Sequence, residues 1–219
     1  AARRRVWWKL AVGAAVVATG YVASYAFPPP PEVVIGEAYS WHHLGGVYAR
    51  RGDDRAAVRA YERAVTAEPL DSFSWNNLGL AHLRLGDTAA AERALSRALE
   101  LSPDNADTLN NFGTLRIYQG RPAEAERYVR AALERNPENV QALVNFAILL
   151  LSRGDADGAL RTLERAAALE PGYANIYFNM ALAHESRGDF ASAASCYRRG
   201  LALDPGNEEA QRRLAAVEG

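Results

Sequence analysis

Proline recurs at a fixed interval through most of this chain: Pro69, Pro103, Pro137, Pro171 and Pro205 are each 34 residues apart. A glycine register keeps the same step 17 residues ahead of each proline, at Gly52, Gly86, Gly120, Gly154 and Gly188. Ala57, Ala91, Ala125, Ala159 and Ala193 form a third register. A fourth runs through Ala64, Ala98, Ala132 and Ala166 and breaks at Gly200. A chain with such a period folds as a stack of like units, because one unit of this length cannot bury its own apolar face. Five units follow: 38–71, 72–105, 106–139, 140–173 and 174–207.

Within each unit, apolar residues step by three and four, which predicts two helices of about a dozen residues. Glycine ends the first helix in the left-handed conformation that other residues adopt only at a cost. Asp53, Asp87, Asp155 and Asp189 follow four of these glycines and are placed to cap the second helix. The proline then bars continuation. Beyond the last unit, Asn207-Glu208-Glu209 opens a polar segment, 208–219, that reads as a capping helix over the open end of the stack.

The first unit reads Trp41-x-x-Leu44-Gly45-x-x-Tyr48, then Ala57-x-x-x-Tyr61, Ala64 and Pro69. The second reads Trp75-x-x-Leu78-Gly79-x-x-His82, then Ala91-x-x-x-Leu95, Ala98 and Pro103. In later units Leu109, Leu143 and Tyr177 replace the tryptophan, and Ala147 and Ala181 replace the glycine. On these residues the chain resembles the tetratricopeptide repeat (TPR) family over about residues 38–207. The resemblance implies an all-α solenoid and a non-catalytic role in binding other proteins.

It further implies that the first helix of each unit lines a concave groove with its second, fifth, sixth, ninth, twelfth and thirteenth positions. The sixth position holds His43, Asn77, Asn111, Asn145 and Asn179. An asparagine amide both donates and accepts, so a row of them could hold the backbone of an extended peptide; asparagine is also the commonest residue of the family at that position. Phe73, Leu80, Leu83, Ile117, Val144, Ile148, Phe178 and Leu182 fall at other inner positions, with Arg50 and Arg84 at the thirteenth. These are the candidate groove residues. At the fifth position, where the family's carboxylate-clamp members carry a lysine, this chain has His42, Asn76 and Asn110. An acidic C-terminal tail is therefore not the expected ligand.

The N-terminus is of another kind. Leu10 to Phe27 is an uncharged run of eighteen residues, enough at 1.5 Å per residue for about 27 Å of helix. Trp7 and Trp8 precede it, Tyr21 and Tyr25 lie towards its far end, and Gly13 and Gly20 add small residues where another helix could approach. Residues 1–27 thus read as a basic N-terminus and a single transmembrane anchor. Arg3, Arg4, Arg5 and Lys9 place the N-terminus in the cytoplasm, and the repeats outside a bacterial inner membrane. A cleaved signal peptide ending near Ser24-Tyr25-Ala26 is the rival reading. Residues 28–37, beginning with Pro28 to Pro31, read as a stiff spacer.

The remaining composition narrows function by exclusion. From Glu32 onward 21 bases face 26 acids, so no basic footprint for nucleic acid exists. Cys196 is the only cysteine and the four histidines are scattered, with His42 and His43 about 100° apart on a helix, so neither a metal site nor a cofactor is expected. The expected partner is another protein, either integral membrane subunits or an extended peptide segment. The expected job is scaffold, accessory subunit or assembly factor of a membrane-protein complex. A client-binding chaperone or secretion adaptor is the alternative.

Overall fold

A computed structural model describes residues 31–219, with side chains from residue 36 onward. The anchor residues Trp7, Trp8, Gly13, Gly20, Tyr21 and Tyr25 lie outside the described residues, as do Pro28 to Pro30. Among the described residues, all regular structure is helical, and no helix is long and apolar enough to cross a membrane.

The first compact unit ends at Leu70 and contains α1 (Pro31–Arg50) and α2 (Asp54–Ala67). The segment 31–37, expected within a spacer, is instead the opening of α1. Proline at the first helical position lacks only an amide that would have had no intrahelical partner there, and its φ already suits the helix. The helices of this unit close on Tyr61, which is buried against Gly45; a Cβ on that glycine would lie 2.6 Å from Tyr61 Cε1.

The second compact unit, Asp71–Gly219, holds nine helices. They are α3 (Ser72–Arg84), α4 (Thr88–Leu101), α5 (Ala106–Tyr118), α6 (Pro122–Arg135), α7 (Val140–Ser152), α8 (Ala156–Leu169), α9 (Ala174–Ser186), α10 (Phe190–Leu203) and α11 (Glu208–Glu218). Each packs against its neighbours in sequence, and α3, α5, α7 and α9 also touch one another in turn. The first helices of the repeats therefore lie side by side as one layer.

The turn inside each repeat is built identically. Gly52, Gly86, Gly120, Gly154 and Gly188 all have φ between 68° and 81°. The amide of the next residue returns to a carbonyl five positions back, as from Asp87 N to His82 O at 3.0 Å and from Arg121 N to Arg116 O at 2.8 Å. Asp53, Asp87, Asp155 and Asp189 then accept from the amides of Ala56, Ala90, Gly158 and Ser192. In the third repeat Arg121 stands at the cap with no side-chain bond, and Pro122 at the first helical position takes up the task.

Between the paired helices the core repeats with the sequence. Ala57, Ala91, Ala125, Ala159 and Ala193 are all fully buried. Leu95, Val129 and Leu163 fill the space beside them, each contributing about 1.5–3 kcal/mol by burial. Gly79 and Gly113 admit two of these side chains, since a Cβ there would lie 2.6 Å from Leu95 Cγ or Val129 Cγ2. At the end of the stack, Asn207 caps α11 by accepting from the Ala210 amide at 3.0 Å, and Ala210 is buried under the last repeat.

Candidate functional site

Within the second unit, the layer formed by α3, α5, α7 and α9 bounds a groove of about 690 Å³. Its lining contains seven asparagines (Asn76, Asn77, Asn110, Asn111, Asn145, Asn175 and Asn179) with Gln141 and Thr114. Leu80, Leu83, Val144 and Ile148 supply apolar floor, and Tyr118 and Tyr173 supply aromatic edges. Arg84 and Asp107 are the only charged groups of the lining. Such a surface offers hydrogen bonds and apolar contact with almost no field of its own.

The asparagines form two rows, and hydrogen bonds tie one row to the other. Asn111 Nδ2 donates to Asn76 Oδ1 at 3.0 Å, across 35 residues of sequence. Asn145 Nδ2 makes the equivalent bond to Asn110 Oδ1 at 2.8 Å. Asn76 and Asn110 are only 9% and 5% exposed, so these bonds satisfy carbonyls that would otherwise be buried unpaired. The pattern stops where the fifth position becomes Val144, which has no acceptor. Asn179 Nδ2 accordingly turns to the Asn175 carbonyl on its own helix, at 2.7 Å. The edge is braced as well, because Asn139 Nδ2 donates to Asp107 Oδ1 at 2.8 Å.

Of the residues expected in the groove, Asn77, Arg84, Asn111, Asn145 and Asn179 line it. Phe73, near the start of α3, is exposed but stands outside the lining. Two expectations are corrected. Phe178 is only 8% exposed and packs over Gly200 in the core with Tyr197 and Ala210. Ile117 is half-buried against the core built on Val129 and Leu149 rather than presented to the groove. His43 and Arg50 belong to the first unit. There His43 is exposed with its ring stacked 6.3 Å from Tyr39, and Arg50 is the exposed last residue of α1.

Asn76 and Asn110 are structural partners that the one-row view of the sixth position misses. Their signal was present in the sequence as consecutive Asn-Asn pairs, 76–77 and 110–111, one repeat apart. Tyr118, Gln141 and Asn175 join the lining as the thirteenth and second positions of later repeats.

His184 Nδ1 stands 3.3 Å from Asp189 Oδ2, and His82 Nδ1 3.9 Å from Asp87 Oδ2, each beside a cap of a second helix. Cys196 is half-buried, and burial raises its thiol pKa. Among the described residues no group of three histidine, cysteine or acidic side chains converges on a point that could hold a metal ion.

A family model described as the C-terminal domain of cilia and flagella-associated protein 70, a TPR domain, matches residues 35–217. No curated protein matches the chain in sequence. Among solved structures, TTC0263, a thermophilic TPR protein of Thermus thermophilus, is 20% identical with a TM-score of 0.73, over 82% of this chain and 98% of that one. PilW, a type IV pilus biogenesis factor, is 22% identical with a TM-score of 0.68, over 83% and 90%. YrrB, a TPR protein described as having an unusual peptide-binding site, is 19% identical with a TM-score of 0.54, over 85% and 96%. At these identities the likeness is one of fold.

Proposed function

The chain belongs to the family of TPR domains represented by that C-terminal domain, and from this premise we propose that it is a non-catalytic interaction scaffold holding an extended segment of a partner protein in the groove of residues 71–219. The observation that carries the proposal is the pair of asparagine rows, in which Asn111 and Asn145 are already fixed by bonds to Asn76 and Asn110 of the preceding repeat. Groups fixed before binding lose little rotamer entropy on binding, which favours a ligand that brings only backbone and short side chains. With Arg84 and Asp107 as its only charges, the lining selects an uncharged segment, and its affinity should change little with salt.

The proposal extends to the N-terminus. The uncharged run from Leu10 to Phe27, with its tryptophan and tyrosine flanks and preceding arginines, supports a single-pass anchor in a bacterial inner membrane with the repeats on the outer side. Tethering would raise the scaffold's effective concentration for membrane-protein partners without adding a contact. Accessory subunit or assembly factor is the role that follows, and biogenesis factor is also what PilW is called.

A photo-crosslinking residue placed at Gln141, an exposed groove position, tests this in native membranes. The control is the same residue at Arg127, which is exposed on α6 and absent from the lining. Integral membrane subunits trapped in constant ratio from position 141 alone would support the accessory role. A mixed, substoichiometric set of exported proteins from position 141 would replace it with a chaperone or adaptor. Equal trapping from both positions would remove the groove from the function.

A further inference from the structure

The asparagines of the groove are not equivalent. Thr114 of α5 donates its hydroxyl proton to the Asn110 carbonyl at 3.1 Å, so toward its other neighbours Thr114 Oγ1 can only accept. That neighbour is Asn145 of α7, whose amide atom facing Thr114 at 2.9 Å must therefore be Nδ2. The same Nδ2 donates to Asn110 Oδ1 at 2.8 Å. An amide nitrogen has two hydrogens, and both are now used. Asn145 Oδ1 is the polar atom of this side chain left for the groove that it lines.

The repeat before lacks this lock. There Leu80 stands at the position of Thr114, and Asn111 Nδ2 makes one inter-repeat bond, keeping a second hydrogen for a ligand. The next repeat lacks it too, because Ile148 takes that position and Asn179 donates within its own helix. Thr114 thus makes one rung of the row acceptor-only.

We propose that Asn145 is a specificity-determining residue of the groove: it accepts a hydrogen bond from a backbone N–H of an extended, uncharged peptide segment and rejects a segment with proline at that register. Proline has no amide hydrogen, so it would leave Asn145 Oδ1 facing an atom that cannot donate. This rests on the groove reading given above. Thr114 acts through Asn145 as a positioning residue.

The test uses the full 219-residue chain and, as probe, peptides selected from a displayed library of random dodecapeptides. Those that protect a crosslinker at Gln141 are resynthesised with one backbone nitrogen methylated at a time. On the native chain, methylation at one position should weaken binding by up to about tenfold, the worth of one neutral hydrogen bond. On Asn145→Leu, checked for folding by its thermal transition, the penalty at that position should fall below about twofold. Thr114→Ser should keep the penalty, and Thr114→Val, which removes one of the two acceptors that hold the Asn145 amide, should reduce it. A penalty that survives in Asn145→Leu, or the absence of any sensitive position on the native chain, would overturn the proposal while leaving the groove as the binding site. If no selected peptide protects Gln141, the groove reading falls and takes this proposal with it.

Discussion

The hydroxyl of Tyr197 donates to Glu185 Oε1 at 2.6 Å, and the other oxygen of that carboxylate accepts from Arg213 of the last helix at 3.0 Å. The second and third repeats carry aliphatic residues at these two places, Leu83 with Leu95 and Ile117 with Val129. Over the repeat 174–207, α11 packs on this place and reaches it through a charge instead. Tyr197 is 1% exposed. Glu185→Ala would take the acceptor from this buried hydroxyl and leave Arg213 paired with Glu209 alone, at a cost of about 1–3 kcal/mol. Hydrogen exchange should show α11 opening first in that variant, whereas Tyr197→Phe should cost only about 0.5–1.5 kcal/mol.

Burial, reinforced by Glu185, raises the Tyr197 phenol pKa above its ordinary 10.0. The folded protein therefore holds this proton more tightly than the unfolded chain does. The contribution to stability is complete below pH 10 and is lost as pH rises through the folded value. Alkaline titration followed at the tyrosinate absorbance should show this tyrosine ionising only above the ordinary phenol range. Tyr197→Phe should remove the late step.

A second charge is held inside the stack. Arg116 is 7% exposed, donates to Glu92 Oε1 at 2.8 Å and holds its guanidinium carbon 4.7 Å from the Phe112 ring centroid. Its Nε is 3.3 Å from Glu124 Oε2 but lacks the alignment of a hydrogen bond. The bonds from Arg116 and Gln119 hold the Glu92 carboxyl below its ordinary 4.5. A depressed carboxyl stabilises the fold above that ordinary value and ceases to do so as pH falls through the folded one. Urea unfolding at a series of pH values should therefore show stability declining below about pH 4.5, with a shallower decline in Glu92→Gln. Arg116→Met should cost about 1–2 kcal/mol at neutral pH, because Glu92 itself remains partly solvated.

Much of this architecture was legible from period alone. Five glycines in one register became five positive-φ turns, and four aspartates after them became four caps, because both are local requirements of the backbone. The misplacements at Phe178 and Ile117 have a different origin. Position within a repeat gives the direction of a side chain, but whether space beneath it is filled depends on a residue far along the sequence. The one break in the fourth alanine register, Gly200, was the visible trace of this. A Cβ there would overlap the Phe178 ring, so the glycine makes the pocket into which that ring sinks. The opening of α1 at Pro31 was hidden for a simpler reason: a run of prolines reads as a break, although its last member is a good first residue for a helix.

That compensation can be measured. Gly200→Ala restores the alanine of the other four repeats, yet it should destabilise by about 1–3 kcal/mol through overpacking against Phe178. Gly172→Ala, where an added Cβ meets nothing within 4 Å, should stay within about 0.5 kcal/mol of the native chain. Pairing Gly200→Ala with Phe178→Val, the residue type of the preceding repeat, should recover most of the loss. A coupling energy near zero between the two sites would show that the glycine is not there for the ring.

Substitutions in the asparagine rows separate binding from folding by the partner each one leaves behind. Asn111→Ala abandons Asn76 Oδ1, which is buried, so chemical denaturation should show a loss of about 1–3 kcal/mol before any ligand is considered. Asn145→Ala abandons both Asn110 Oδ1 and Thr114 Oγ1 and should cost at least as much. Asn179→Ala gives up only a bond to a carbonyl of its own helix at an exposed site, and its stability should change by less than about 0.5 kcal/mol. Weakened partner trapping at Gln141 in Asn179→Ala, with an unchanged unfolding midpoint, would be a direct loss of groove contact. The same weakening in Asn111→Ala would combine that loss with a loosened stack. The far end of the row is thus the place where an alanine reports on binding alone.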